Sequence, residues 1–343
     1  MSTFAFDKDL QQLDLFDSFK NENREVIVAE YSRIILENGA AVIFDTEHLS
    51  RLLGFSQELL FSISAASNKY YREYTVLKRS GGRRVINEPL PTLKMIQRFI
   101  LAELLDGVRL HKAARGYRKN HTLRGGAIIH RGRPYMLTLD VQDFFPSINQ
   151  YQVFQALLKL GYTKQISRLI TGLCTLHDGL PQGAPTSPLL SNLVLYQADK
   201  AIFDHCVVRG LFYTRYADDM TFSSKEDNVV EIIPVVRTQL SNVGLRINPR
   251  KTNVSRRGSR KYVNGIVVNV KPNILKTERR SLRQEMFYIK KYGIEGHIRW
   301  SKVEAPYYVD KLIGRLTFAL FVTKDKRYSQ EIRYLSALKK AMQ

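Results

Sequence analysis

Cysteine is scarce: only Cys174 and Cys206 occur among 343 residues. No CxxC pair and no Cys/His cluster at zinc spacing exists, which excludes a disulfide framework and a zinc ribbon and fits a reducing compartment. No apolar run reaches the roughly 18–20 residues that a membrane helix needs. The N-terminal stretch "MSTFAFDKDLQQLDLFDSFK" scatters acids where a secretory signal carries a basic segment. A cytoplasmic location is therefore expected. Repeats, low-complexity tracts and Gly/Ser linkers are also missing, so the chain is not a string of independent modules.

Positive charge is abundant. The net charge is +21, pointing to a polyanionic partner. Residues 246–343 hold 24 Lys and Arg against 7 Asp and Glu, whereas residues 1–30 hold 3 against 7. The basic end is interleaved with Tyr288, Tyr292, Trp300, Tyr307, Tyr308 and Phe318. Cations with aromatic platforms suit a sugar-phosphate backbone and stackable bases, although a solvated basic surface is the plainer reading. The acidic segment "DKDLQQLDLFDSF", with Leu10, Leu13, Leu15 and Phe16 as its apolar side, reads as a partner contact or as a segment folded back on the chain.

Patterning places helices over residues 22–66. "YREYTVLKRSGGRRVINEP" reads as a hairpin, "LKMIQRFILAELL" as an amphipathic helix, and "YMLTLDVQDFFPSI" as an apolar strand running into a turn. "YQVFQALLKLGY" and "KQISRLITGLC" read as two helices. "LPQGAPTSPLLSNLVLYQADKAIFDHCVVRG" reads as a loop opening one long helix, followed by the hairpin "LFYTRYADDMTFSS". "DNVVEIIPVVRTQLSNVG" reads as a further helix; the segment "LRINPRKTNVS", a strand pair around "KYVNGIVVN" and helices from about Thr277 then complete an α+β chain.

Strands deplete Asp, yet Asp218 and Asp219 stand together at a hairpin tip, and Asp140 ends a second apolar strand. Two strands side by side in one sheet would bring the three carboxylates together. Hard oxygen donors there could hold two Mg²⁺ about 3.5–4 Å apart, the arrangement that activates a hydroxyl and stabilises a pyrophosphate leaving group. The plainer reading makes Asp-Asp a turn signal and Asp140 a helix cap. Gln182 in the stiff loop "LPQGAPTSP" could pack flat against a nucleotide, or Thr186 or Ser187 could simply cap the next helix. The basic hairpin "KRSGGRR" could fold over a triphosphate, or be solvated.

The order of these pieces, with "LPQGAPTSP" and "YADD" the most specific, resembles the reverse transcriptase family over about residues 70–270. It is most like bacterial retron reverse transcriptases. The resemblance implies a right-hand polymerase with fingers, a palm of antiparallel sheet plus helices, and a small helical thumb. The expected divisions are an N-terminal extension 1–35, fingers 36–134, palm 135–270 interleaved with fingers elements near 150–180, and a basic thumb 271–343. It implies RNA-directed DNA synthesis with two Mg²⁺, Mn²⁺ serving as a substitute. Asp140 and Asp218 would hold both metals, Asp219 would be a looser third carboxylate, and the main-chain carbonyl of Val141 an extra ligand. Lys251 would give a proton to pyrophosphate, or merely neutralise phosphate. Lys78 and Arg84 match triphosphate contacts, and Gln182 and Gly183 would line the incoming nucleotide. Phe145 matches the steric gate that leaves no room for a 2′-hydroxyl. Tyr216 would sit by the primer end, and Val263, Asn264 and Gly265 would form a primer grip.

Retron-type function implies dNTP substrates, a structured noncoding RNA as template and primer, a branched RNA–DNA product (msDNA) and a separate effector protein in anti-phage defence. Two departures stand out: Gly126 where such enzymes show Asn, and Asn264 where they show Thr. A group II intron-like or other defence-associated enzyme, RNA-templated RNA synthesis, and an RNA/DNA-binding scaffold restraining an effector are the alternatives.

Overall fold

The computed structural model describes residues 24–77, 81–301 and 307–341. Lys78 and the acidic segment with Leu10, Leu13, Leu15 and Phe16 lie outside them. Helices α1 (Arg24–Glu37), α2 (Thr46–Leu53) and α3 (Gln57–Ala65) open the described chain. Asp45 starts α2 by accepting the His48 N–H, and Gly54 in the left-handed region stops it. Strands β1 (Tyr71–Leu77) and β2 (Arg83–Pro89) form an antiparallel hairpin apart from the main sheet. Helix α4 (Pro91–Phe99) uses Pro91 in its first turn and passes into one π turn, Ile100–Leu104. Helix α5 (Leu123–Ile128) precedes β3 (Tyr135–Asp140), and α6 (Gln150–Lys159) and α7 (Lys164–Cys174) follow it.

The single long helix expected over residues 187–208 is two. Helix α8 (Ser187–Val194) stops at Leu195, whose backbone (φ −82°, ψ 0°) turns the chain into α9 (Tyr196–Val208). Asn192 faces inward at this break and donates to the Gly116 carbonyl. Strands β4 (Phe212–Tyr216) and β5 (Asp219–Ser224), helix α10 (Ile233–Ser241), and β6 (Asn253–Ser255) come next. The short pair β7 (Tyr262–Val263) and β8 (Ile266–Val267) leads to α11 (Lys276–Ser301), α12 (Tyr308–Thr323) and α13 (Lys326–Ala341).

The sheet order is β4-β5-β3-β6, antiparallel throughout. Its central strands are buried: Leu137 and Leu139 of β3 share one face with Met220 and Phe222 of β5, and Met136 lies on the other face with Thr221 and Ser223. Each fully buried Leu, Met or Phe contributes about 1.5–3 kcal/mol, so this sheet is firmly held. One core joins the sheet to helices α1–α4 and α6–α10. A second joins Met136 and the β7–β8 pair to α11–α13 through Leu282, Met286, Leu312 and Leu316. The site therefore grows from a rigid α+β frame.

Candidate active site

Antiparallel pairing of β3 with β5 runs from Tyr135 opposite Ser224 to Asp140 opposite Asp219. The carboxylates distant in sequence thus meet at one end of the sheet. Tyr216 pairs with Asp219, leaving Ala217 and Asp218 as a two-residue turn, with Ala217 at φ 53°. Asp218 is half-buried and Asp219 exposed at this rim, while Asp140 is buried. The Val141 N–H donates to the Asp218 carbonyl at 3.0 Å, stitching the turn to the end of β3.

Charge is crowded here. Partial burial pushes the Asp218 carboxyl up, and Asp140 pushes it further; Lys251 and Arg84 pull it back. Burial, then Asp218 and Asp140, raise Asp219 to about 6. Asp140 is already engaged: Lys251 Nζ donates to it at 2.8 Å and Asn248 Nδ2 at 3.3 Å. The Asn248 N–H also donates to the Asp140 carbonyl at 2.7 Å. Neither Asp140 nor Asp218 caps a helix. Among the described residues no group of three acidic, His or Cys side chains is arranged to hold a metal ion as it stands, and the Asp140 carboxylate faces a lysine. The donor set still fits a hard divalent cation in kind: three carboxylates, two of them raised by burial and like charge that a cation would relieve.

A continuous main-chain path leads from these carboxylates to the β1–β2 hairpin. The Phe145 carbonyl accepts from Leu180 N–H, and the Gln182 carbonyl from Asn87 N–H at 2.8 Å. Gly183 takes φ 131°, and a Cβ there would lie 2.8 Å from the Asn87 carbonyl oxygen, so only glycine permits the approach. Ser187 Oγ donates to the Pro181 carbonyl, and Thr186 makes no cap, so the capping reading of that pair is not realised. Phe145 is half-buried, edge-on to Phe144 at 5.2 Å. Arg84 projects from β2, exposed. Across the site, Asn264 (φ 46°) and Gly265 (φ 89°) form the β7–β8 turn, a conformation Asn tolerates better than a β-branched residue. A Cβ at Gly265 would lie 3.6 Å from Phe318 of α12.

Sequence reasoning missed the support beneath the carboxylates. Arg215, buried to 1%, lies against Asp199 of α9, its Nε and Nη2 donating at 2.9 and 2.6 Å. Its Nη1 donates to the Ala217 carbonyl at 3.1 Å, inside the left-handed turn. Tyr213 donates to the same Asp199. Arg215 within a run of strand residues was the available signal. Tyr117 was missed too: its ring lies 5.3 Å from that of Tyr216, and a Cβ at Gly116 would lie 3.1 Å from the Tyr216 ring. Asn248 of "LRINPRKTNVS" gave no sequence signal of its contacts with Asp140. His130 bridges Ser223 and Thr214 across β4 and β5, and full burial drives its pKa down to about 3. Gly126 is buried beside Arg115.

Comparison with known proteins agrees with this geometry. Residues 76–335 match the family model described as reverse transcriptase (RNA-dependent DNA polymerase). Retron Ec86 reverse transcriptase of Escherichia coli is 32% identical over 309 residues, 88% of this chain and 92% of that protein. Retron Mx162 reverse transcriptase of Myxococcus xanthus is 32% identical over 265 residues, 68% of this chain and 55% of that protein. Retron Mx65 reverse transcriptase of the same organism is 34% identical, covering 63% of this chain and 55% of that protein. This chain thus spans about half the length of the two Myxococcus proteins.

Proposed function

The chain belongs to the reverse transcriptase family, in its retron group, and is an RNA-directed DNA polymerase; from that premise we propose that Asp140, Asp218 and Asp219 hold two Mg²⁺, with the Val141 carbonyl as a further ligand and Mn²⁺ as a substitute. The observation that carries this reading is the register that sets Asp140 opposite Asp219. The chemistry such ions supply when bound is activation of a terminal hydroxyl and charge compensation on departing pyrophosphate. Lys251, which donates to Asp140, would give its proton to that leaving group. Arg84, with Lys78, takes the triphosphate; Gln182 and Gly183 line the nucleotide. Tyr216, backed by Tyr117, orients the primer end, and Val263–Gly265 grip its backbone. The sheet with its helices is the palm, the β1–β2 hairpin part of the fingers, and α11–α13 the thumb.

Phe145 sets sugar choice. Phe145→Ala is expected to raise rNTP use relative to dNTP by at least about tenfold, a loss of steric discrimination near 1.4 kcal/mol. Unchanged discrimination would remove the gate. Gly183→Ala is expected to raise the KM for dNTP more than it lowers kcat, because the added Cβ displaces the Asn87 contact. Steric and backbone strain there should cost about 1–3 kcal/mol of stability in a denaturant titration.

The retron relationship extends the reading to a structured noncoding RNA as template and primer, a branched RNA–DNA product, a separate effector and a role in defence, within the cytoplasm. Among the described residues no helix is long and apolar enough to cross a membrane. The test is to purify the protein with its bound nucleic acid and sequence it, alongside incorporation assays on a primed RNA template. A short branched RNA–DNA species and dNTP preference are expected. Preference for rNTP, or DNA synthesis without any branched species, would overturn the polymerase or the retron assignment respectively.

A further inference from the structure

Helix α11 is not one straight rod. Gly293 takes φ 75°, ψ 170°, and a Cβ there would meet nothing within 4 Å, so the residue serves backbone freedom rather than close packing. A straight helix would separate residues 288 and 300 by about 18 Å along its axis. The kink instead returns Trp300 to Tyr288, ring centroids 5.2 Å apart. Tyr288 becomes the hub of an aromatic cluster, with Phe287 at 5.6 Å and Tyr292 at 6.2 Å. Most of these rings face solvent: Phe287 is 59% exposed, Tyr292 57% and Trp300 69%.

The cluster continues N-terminally as a groove of about 460 Å³ lined by Arg280, Arg283, Gln284, Phe287 and Tyr288. These positions recur at helical spacing on one side of α11. Among the described residues neither Arg280 nor Arg283 makes an ion pair, whereas Lys290 and Arg315 nearby do. Below the rings the floor is fixed. Glu285 accepts from Ser281, Tyr308 and Arg315, and Arg315 also donates to Glu278. Tyr308, expected as a platform, is therefore buried in this floor rather than available to a ligand.

We propose that this kinked-helix face is a binding site for unpaired nucleotides of single-stranded RNA, stacked on Phe287, Tyr288 and Trp300 with phosphates on Arg280 and Arg283. The inference rests on the RNA-binding reading of the chain and makes it specific. A surface that reads only duplex backbone needs cations and polar groups. Exposed rings gain free energy only where a base has an open face, by amounts that correspond to fivefold to hundredfold in affinity per base. A protein partner would have to carry acidic residues against the unpaired arginines, and is the competing outcome.

Trp300 is the chain's single tryptophan, so its emission reports this site alone. The full-length protein is titrated with an unstructured ten-nucleotide RNA of adenosine and cytidine, and with the same strand annealed to its complement. Saturable quenching by the single strand is expected, with the duplex at least about tenfold weaker. Phe287→Ala and Arg283→Ala, both on the exposed face, should each weaken the single strand by between about fivefold and hundredfold. Gly293→Ala should straighten α11 and abolish quenching. Equal or stronger quenching by the duplex would make the face a backbone surface, and unchanged emission with both ligands would leave it to a protein partner; either overturns the proposal. DNA synthesis on a primed template, measured on the same preparation, separates the failures: synthesis without quenching sinks this site alone, whereas loss of both sinks the polymerase reading beneath it.

Discussion

Combining Asp218→Ala with Asp219→Ala is expected to lower DNA synthesis on a primed RNA template by a factor of at least about 10³, since the lost charge stabilisation is worth several kcal/mol in the transition state. RNA binding should persist, because the cations of α11–α13 are untouched. The fold should persist as well, and at neutral pH should gain stability. The sign follows from the raised pKa of both carboxyls. A group whose pKa is higher folded than unfolded stabilises the fold while protonated and withdraws that stabilisation as pH rises through the folded value, about 6 for Asp219. Metal-free wild type should therefore lose stability between about pH 4 and pH 6 by an increment that the double variant lacks. The effect is moderated because the Asp219 side chain is exposed. Thermal unfolding of both proteins in EDTA at pH 4.5 and pH 7.5 reads it out. A variant that retained synthesis would leave the chain a nucleic-acid scaffold whose catalysis lies elsewhere.

Asp199→Leu alone is expected to destabilise the protein by about 3–5 kcal/mol, because it leaves the Arg215 guanidinium buried without its partner. Arg215→Met combined with Asp199→Leu should recover part of that loss, since an apolar pair of similar volume replaces the buried ion pair while the Tyr213 hydroxyl still lacks its Asp199 acceptor. Synthesis should not recover with stability. Without the Nη1 donor the Ala217 carbonyl loses its anchor, and the left-handed turn that carries Asp218 becomes looser. A kcat at least about tenfold below wild type is expected in the stable double variant, with RNA affinity unchanged. Full activity there would reduce the Arg215–Asp199 pair to a packing element.

Much of the frame was legible because periodicity and turn chemistry agreed locally. The apolar run of β3, the pairing of β1 with β2, and the "YADD" tip all sit where their residues place them. The expectation that Asp140 meets Asp219 rested on two apolar strands each ending in an acid, and the register delivers that meeting. The break at Leu195 was not legible, because no Gly or Pro marks it; beside it an inward Asn192 reaches a carbonyl far away in sequence. Arg215 stood out within a run of strand residues, but its partner did not: Asp199 looks like a surface residue of α9, and only the packing of α9 beneath β4 brings the two together. The aromatic platforms of the basic end divided once the kink at Gly293 was in place: Trp300 stayed outside and Tyr308 went in.

The most direct measurement counts divalent ions at the carboxylates. The protein is combined with a dideoxy-terminated primer on an RNA template, a matching dNTP and Mn²⁺, and bound metal is quantified by electron paramagnetic resonance. Two Mn²⁺ per chain are expected for wild type, and one or none for Asp140→Asn with its fold intact by circular dichroism. Two ions retained by Asp140→Asn, or none in wild type, would contradict the assignment of Asp140, Asp218 and Asp219 to a shared metal site.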